Sequence, residues 1–317
     1  MAELVLHHYA ISPFSEKLRL ILGHKKLAWR SVTVPNVMPK PDVLALTGGY
    51  RKTPFLQIGS HIYCDTALVC DVLEHLAPEP ALYPAQHKGL ARVLAQWADD
   101  KLFWAAMAWN FHPAGMAQLF GGGPPEQWQP VAKAFGEDRA RMRTGMPRLP
   151  LADAAAAYRS YLRRLANMLQ GQDFLLGVTP SVADFAAYHP LWFTRHQTPA
   201  RAGILDATPG VLAWMDRLAA IGQGNSTAMS AAEAIALCAA SPGVGAVLED
   251  SVFQDEHGIA LGSRVSIAGE SFGPEPTEGE LVAATRTHYT LRRVDERAGL
   301  VHVHFPRIGY LLKAVTA

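Results

Sequence analysis

The sequence has few cysteines, no excess of charge of either sign and no long apolar run. Its three cysteines, Cys64, Cys70 and Cys238, are odd in number and lack CxxC spacing. That argues against a disulfide framework and a structural zinc site, and makes a reducing cytoplasm the expected compartment. Lys plus Arg (29) nearly cancel Asp plus Glu (28), so no field exists to hold a polyanion and nucleic acid is not an expected partner. No apolar stretch reaches the roughly 18 residues of a membrane span. Met1 to Tyr9 shows no basic stretch feeding an apolar run, so a soluble, unexported protein without a membrane partner is expected. Internal repeats are missing too, and low complexity is confined to a short alanine run, Ala154 to Ala157.

What is present is a chain of 317 residues, 49% hydrophobic and 18% charged, enough for two or three units with cores of their own. Leu4 to Tyr9 reads as a strand, and Ser12-Pro13 opens a helix with Phe14, Leu18, Ile21 and Leu22 at helical spacing. Trp29 to Val34 alternates as a second strand, and Asp42 to Leu46 is a short helical turn. Thr53 to Ile58 and His61 to Tyr63 flank Gly59-Ser60 as a hairpin, and a helix from Ala67 to Leu76 follows Asp65-Thr66. The order βαβαββα in about 80 residues is a thioredoxin-type arrangement. Pro78-Glu-Pro80 then breaks the pattern.

From Lys88 to about Ile221 the signals are helical: Leu90 to Ala117, Glu126 to about Thr144, Leu151 to Leu169, Val182 to about His196 and Pro209 to Ile221. Ser181-Val-Ala-Asp184 resembles a capping box, and Thr208-Pro209 supplies a cap and a first-turn proline. After Gly222-Gln-Gly224, Ala231 to Ala240 is a short helix. Strand-like alternation follows in Ser263 to Ile267, Leu281 to Val294 and Leu300 to Phe305, with turns at Gly273 to Gly279 and Asp295 to Gly299. The expected fold is therefore α/β plus all-α: a thioredoxin-like unit (1–80), a helical bundle (86–223) and a separate, small, mainly β domain (225–317).

Ser12 puts a hydroxyl beside the free N–H groups and positive dipole end of its helix, where anions are favoured. A bound thiol there is pushed toward thiolate. Lowering a cysteine-like thiol by two pH units from about 8.5 takes about 2.7 kcal/mol of differential interaction; the bland reading is a simple helix cap. Thr53-Pro54 can expose strand-like backbone to a peptide ligand. Asp65-Thr66, at a helix start, can hold an amino-acid end, the carboxylate on Thr66 and N–H groups and the ammonium on Asp65. Taken in order, the three features describe one site for an extended γ-glutamyl thiol tripeptide.

Ser12-Pro-Phe-Ser-Glu-Lys-Leu-Arg19, Thr53-Pro-Phe-Leu, Asp65-Thr-Ala-Leu and Ser181-Val-Ala-Asp-Phe185 resemble the glutathione-binding and helical capping motifs of the glutathione S-transferases. The likeness spans roughly residues 4–222. It implies that Ser12 is a serine-type catalytic residue and that Thr53 is a backbone clamp before a cis Pro54. It also implies that Phe14, Lys52, Asp65 and Thr66 belong to the glutathione site, that Asp184 is a folding residue, and that the protein is a homodimer. Members commonly carry Glu-Ser where this chain has Asp65-Thr66. Members with cysteine at the Ser12 position are thiol-disulfide exchangers, a chemistry that serine disfavours because no protein mixed disulfide can form. Tyr9 and Ser15 are weaker candidates for contact with sulfur, and Arg51 and Lys52 for a ligand carboxylate.

The function implied is transfer of glutathione thiolate to a small hydrophobic electrophile, with glutathione as co-substrate and no metal. The acceptor pocket is expected around Trp104, Trp109 and Phe111, beside Phe103 and Met107. The rival readings are a non-catalytic glutathione- or hydrophobic-ligand-binding module, and isomerase, dehalogenase or peroxidase chemistry on the same thiolate. His302 and His304 share a strand face with His288 nearby, but no acidic or cysteine partner stands at metal-site spacing, and a solvated strand face accounts for them. Residues 225–317 carry no motif: they can wall the cleft, enlarge a dimer interface or bind something unrelated.

Overall fold

The computed structural model describes residues 3–143, 145–147, 149–248 and 252–315. The first unit runs β1 (Val5–His8), α1 (Pro13–His24), β2 (Ala28–Thr33), α2 (Pro41–Thr47), β3 (Phe55–Ile58), β4 (His61–Cys64) and α3 (Thr66–Leu76), the βαβαββα order expected. Period-two alternation sends successive side chains to opposite faces. Leu6, Leu56 and Tyr63 join the core under α1, α3 and the helical unit, whereas Val5, Phe55, Ile62 and Cys64 join a second core on the other face. The β3–β4 hairpin turns at Gly59, whose φ of 56° suits glycine.

The helical unit contains α4 (Lys88–Trp97), α5 (Phe103–Asn110), α6 (Pro113–Leu119), α7 (Pro125–Arg141), α8 (Leu151–Met168), α9 (Val182–Trp192) and α10 (Pro209–Ala219). The helix expected over Leu90 to Ala117 is thus three helices. A π-type turn at Ala98–Leu102 joins the first two, and Pro113 starts the third because proline is tolerated in a first turn but not in a helix interior. The expected end of the next helix, Thr144, lies outside the described residues. The Ser181–Asp184 capping box forms, and Asp184 also accepts from Leu175 N–H and Trp214 Nε1–H, tying α9 to the preceding loop and to α10. Thr208 does not cap with its side chain; its hydroxyl donates to the Leu205 carbonyl.

The C-terminal segment departs from expectation. It consists of β5 (Asn225–Ala228), α11 (Ala231–Ala240), β6 (Arg264–Gly269), β7 (Thr277–Ala284), β8 (His288–Asp295), β9 (Gly299–Pro306) and β10 (Tyr310–Ala314). Its strands do not form a separate sheet. They extend the first one into a single ten-stranded sheet of order β10-β6-β7-β8-β9-β4-β3-β1-β2-β5. β9 pairs in parallel with β4, His61 opposite His302 and Tyr63 opposite His304, and β5 pairs in parallel with β2. Both edges of the thioredoxin-type sheet are thereby covered, removing unpaired N–H and C=O groups that would otherwise recruit another strand. The stretch Leu281 to Val294 is two strands, β7 and β8, with a turn between them. Their apolar residues, with those of β6 and β9, complete the second core against α2 and α11.

Burial of β9 between β8 and β4 also corrects the solvated-histidine reading. His304 and His288 are buried. His304 pairs with His61 Nδ1 at 2.8 Å and with Thr290 Oγ1 at 2.9 Å, while its ring stacks on Tyr63. No group of three or more His, Cys, Asp or Glu suited to hold a metal occurs among the described residues. No described helix is long and apolar enough to cross a membrane.

Candidate active site

A cavity of about 530 Å³ opens between the thioredoxin-type unit, the helical unit and the C-terminal sheet. Ser12, Phe14, Lys52, Thr53, Pro54, Asp65 and Thr66 all line it, as do Trp104, Phe111, Phe103 and Met107. Ser12 caps α1, its Oγ accepting from Ser15 N–H at 3.2 Å, with Pro13 at the first helical position. Because Oγ is the acceptor in that bond, its own O–H remains available to a ligand. The Thr53–Pro54 peptide is cis. Asp65 has φ 75° and caps α3, Oδ1 accepting from Ala67 N–H at 2.9 Å. A non-glycine residue in this region costs about 1–3 kcal/mol and is held by its surroundings; here Tyr50 Oη accepts from Asp65 N–H at 3.1 Å.

Three positions, Trp109, Ser15 and Arg51, differ from expectation. Trp109 is not in the cavity: Arg201 stacks on its indole at 3.6 Å, and its Nε1–H donates to the Arg201 carbonyl. Ser15 is fully buried and does not line the cavity. Tyr9 does line it, with Oη accepting from Arg139 Nη2 at 3.1 Å. Arg51 is committed to Asp138 at 3.1 Å and Glu275 at 2.8 Å, which makes it a brace between α7 and the β6–β7 loop.

Several residues that motif reading passed over organise the site. Arg19, within the first motif, pairs with Glu16 at 2.7 Å and donates to the carbonyls of Tyr9 and Ala10, fixing the loop ahead of Ser12. Lys17 is buried and donates to Asp99 Oδ2 at 2.6 Å and Thr66 Oγ1 at 3.1 Å, which leaves the Thr66 O–H free to donate into the cavity. Burial opposes the charge on Lys17, but Asp99 outweighs it and raises the ammonium's pKa. Lys40, only 4% exposed, reaches two neutral oxygens, Arg51 O at 3.3 Å and Thr53 Oγ1 at 3.4 Å. Burial, assisted by Arg139, brings it down to about 8. Lys52 lies over the rings of Tyr50 and Tyr310 at 5.2 and 4.7 Å, and burial lowers it as well. From the C-terminal sheet come Glu270, Ser271, Phe272, Gly309 and Tyr310. Phe272 packs edge-on against Trp104, centroids 5.2 Å apart, and Gly273 N–H donates to Met142 O at 2.8 Å. The added sheet therefore reaches across to the helical unit and walls the cleft.

A capped helix start, a cis-proline strand and a second capped helix start, meeting on one cavity beneath a helical unit, define a glutathione-transferase-type protein. The chain belongs to the glutathione S-transferase family: residues 6–81 match its N-terminal domain and residues 125–217 its C-terminal domain. A GST-like protein from Pseudomonas syringae is 42% identical, with a TM-score of 0.82 over 99% of this chain and 100% of that one, so the likeness takes in the C-terminal sheet. FtsZ-localized protein A of Caulobacter vibrioides is 29% identical over 192 residues, 58% of this chain and 74% of that protein. A β-etherase from Sphingobium shares the fold, at 20% identity and a TM-score of 0.51 over 68% of this chain and 95% of its own.

Proposed function

We propose that the protein is a glutathione transferase that adds glutathione thiolate to a small hydrophobic electrophile. The observation carrying this reading is the convergence of the Ser12 hydroxyl, the Thr53–Pro54 strand and the Asp65–Thr66 helix start on one cavity whose other wall is aromatic. Ser12 Oγ–H donates to the sulfur, and the positive end of α1 favours the thiolate. The thiol proton passes to solvent. A carbon–sulfur bond then forms at the electrophile, and the leaving group departs with its electron pair, or the pair moves onto the acceptor in an addition. Thr53 offers backbone to the cysteinyl residue, Thr66 and Lys52 meet the γ-glutamyl carboxylate, Asp65 meets the ammonium, and Lys40 takes the glycine carboxylate. Phe14 lies beside the sulfur, and Trp104, Phe111 and Phe103 seat the acceptor. In this division of labour, residues 1–80 bind the thiol, 86–223 shape the acceptor side and 225–317 close the cleft, in a cytoplasmic, homodimeric detoxification enzyme. Isomerase, dehalogenase and peroxidase reactions draw on the same thiolate.

A second reading rests on the likeness to FtsZ-localized protein A, whose name describes a location: the fold then serves as an interaction module with little turnover. Calorimetric titration of glutathione into the wild type and Ser12→Ala, with thiolate absorbance followed against pH, separates the two. The transferase reading expects both proteins to bind within a few-fold. Thiolate forms near neutral pH in the wild type alone, and turnover with a model electrophile falls about a hundredfold, the scale of losing one oxyanion-type donor. A wild type that binds no glutathione sinks it.

A further inference from the structure

We infer that Tyr310 and Glu270, both from the C-terminal sheet, contact the amino-acid head of the bound thiol and make the site select for a free α-ammonium group. This rests on the transferase reading and adds to the site a part that none of the glutathione-binding motifs contains. The Asp65 carboxylate, one methylene shorter than the glutamate common at this position, keeps Oδ1 on Ala67 N–H and is met from the other side by Tyr310 Oη–H on Oδ2 at 3.0 Å. Tyr310 stands at the start of β10, immediately after the Gly309 turn, and both line the cavity. Its hydroxyl, donating to Asp65 and hydrogen-bonded as well to the Tyr50 hydroxyl, keeps a lone pair that can accept.

Charge at this end of the cavity fits a zwitterion. Lys52, against the Tyr50 and Tyr310 rings and packed beside Gly269 and Gly273 of the β6–β7 region, supplies the positive side with the Thr66 hydroxyl. Asp65 and Glu270 supply the negative side. A ligand carboxylate on Thr66 and Lys52 leaves its α-ammonium facing Asp65, Tyr310 Oη and Glu270. Of these three acceptors only Asp65 belongs to the thioredoxin-type unit. A thiol of the same length without the ammonium leaves the buried Tyr310 hydroxyl and the half-buried Asp65 carboxylate without that partner, a mismatch that binding energy reads strongly, while exposed Glu270 is rehydrated at lower cost.

The test is calorimetric titration of the full-length protein with glutathione and with its deaminated analogue, N-glutaryl-cysteinylglycine. The wild type is expected to prefer glutathione by about tenfold or more, the scale of one hydrogen bond to a charged group. Tyr310→Phe, which keeps the ring against Lys52, and Glu270→Gln, on an exposed residue outside the core, should each reduce that preference at least threefold, mainly by weakening glutathione. A preference unchanged in one variant overturns the role of that residue. Unchanged in both, or absent from a wild type that binds both thiols, it overturns the inference while the transferase reading stands. A wild type that binds neither thiol overturns both.

Discussion

Replacing Lys17 with Met should destabilise the protein in a way that depends on pH. The Lys17 ammonium is 1% exposed and lies 2.6 Å from Asp99, whose side chain is one-fifth exposed. The other Asp99 oxygen meets His189 Nε2 at 2.9 Å, and the His189 ring is buried against Phe14 and Phe103. Breaking a buried pair by removing one partner costs about 3–5 kcal/mol, and the partial exposure of Asp99 places this case near 3. Burial holds the imidazole below its ordinary value, and Lys17 pushes the same way while Asp99 opposes. With Lys17 gone, His189 loses the lesser of the two influences that lower it, and its folded pKa moves up toward the unfolded value of about 6.5. A histidine held below its unfolded pKa contributes stability that is full above that value and lost as pH falls through the folded one, so acid costs the wild type more than the variant. The deficit should therefore be full above about pH 7 and shrink as pH falls toward about pH 5. Thermal unfolding reads it: at about 2–4 °C per kcal/mol, the variant should melt roughly 10 °C below the wild type at the higher pH. Equal deficits at the two pH values, or a deficit below about 1 kcal/mol, would refute the argument that Lys17 helps keep His189 neutral.

The buried histidines should make the protein acid-labile. His7, stacked on Phe55 and paired with Gln57 at 2.8 Å, is lowered by burial from 6.5 to about 4. The unfolded chain therefore takes its proton first. Stability is full above about 6.5 and falls by about 3 kcal/mol as pH drops toward 4. His7→Gln should flatten that slope in denaturant midpoints, and superimposable slopes would contradict it. Asp184→Ala removes the acceptor for four donors, Leu175 N–H, Ser181 N–H, Ser181 O–H and Trp214 Nε1–H. A loss of about 4 kcal/mol in unfolding stability is expected, with Asp184→Asn, which keeps one acceptor oxygen, losing about half.

Much of the cavity wall that carries Ser12, Thr53 and Asp65 is legible because its cues are local. A capping side chain before a proline, a Thr-Pro ahead of a hairpin, and an Asp-Thr before an apolar helix each occupy a few adjacent residues. The aromatic wall is legible only in part. Composition places three aromatics on one stretch, but at 100° per residue Trp104 and Phe111 fall within about 20° of each other and Trp109 about 140° away. The last therefore turns to Arg201 instead of the cavity. Least legible was the C-terminal half of the site. The alternation of Leu300 to Phe305 announces a strand without saying which strand it pairs with, and its parallel partner β4 lies some 240 residues earlier. β5 is a run of four exposed residues with no apolar alternation. Tyr310 follows a Gly turn like any other strand residue; its contact with Asp65 comes from the far side of the fold.

The energetics of the cavity favour a charged ligand over an empty shell. Lys40 is held away from water with two long contacts to neutral oxygens, and Lys52 is held against two aromatic rings; burial lowers both ammonium groups from their ordinary values. Desolvating an ammonium costs several kcal/mol unless an anion compensates. The nearest candidate for Lys40, Asp138, is already engaged by Arg51 and Arg139. A protein acting solely through its outer surface gains nothing from carrying that cost beside Ser12, since apolar residues of similar volume would pack there at lower free energy. Under the transferase reading, a ligand carboxylate reaching Lys40 offsets that cost, whereas Lys52 already has the carboxylates of Asp65, Glu270 and Glu275 near it. The Lys40→Met protein is for that reason the one in which ligand binding and unliganded stability should move in opposite directions.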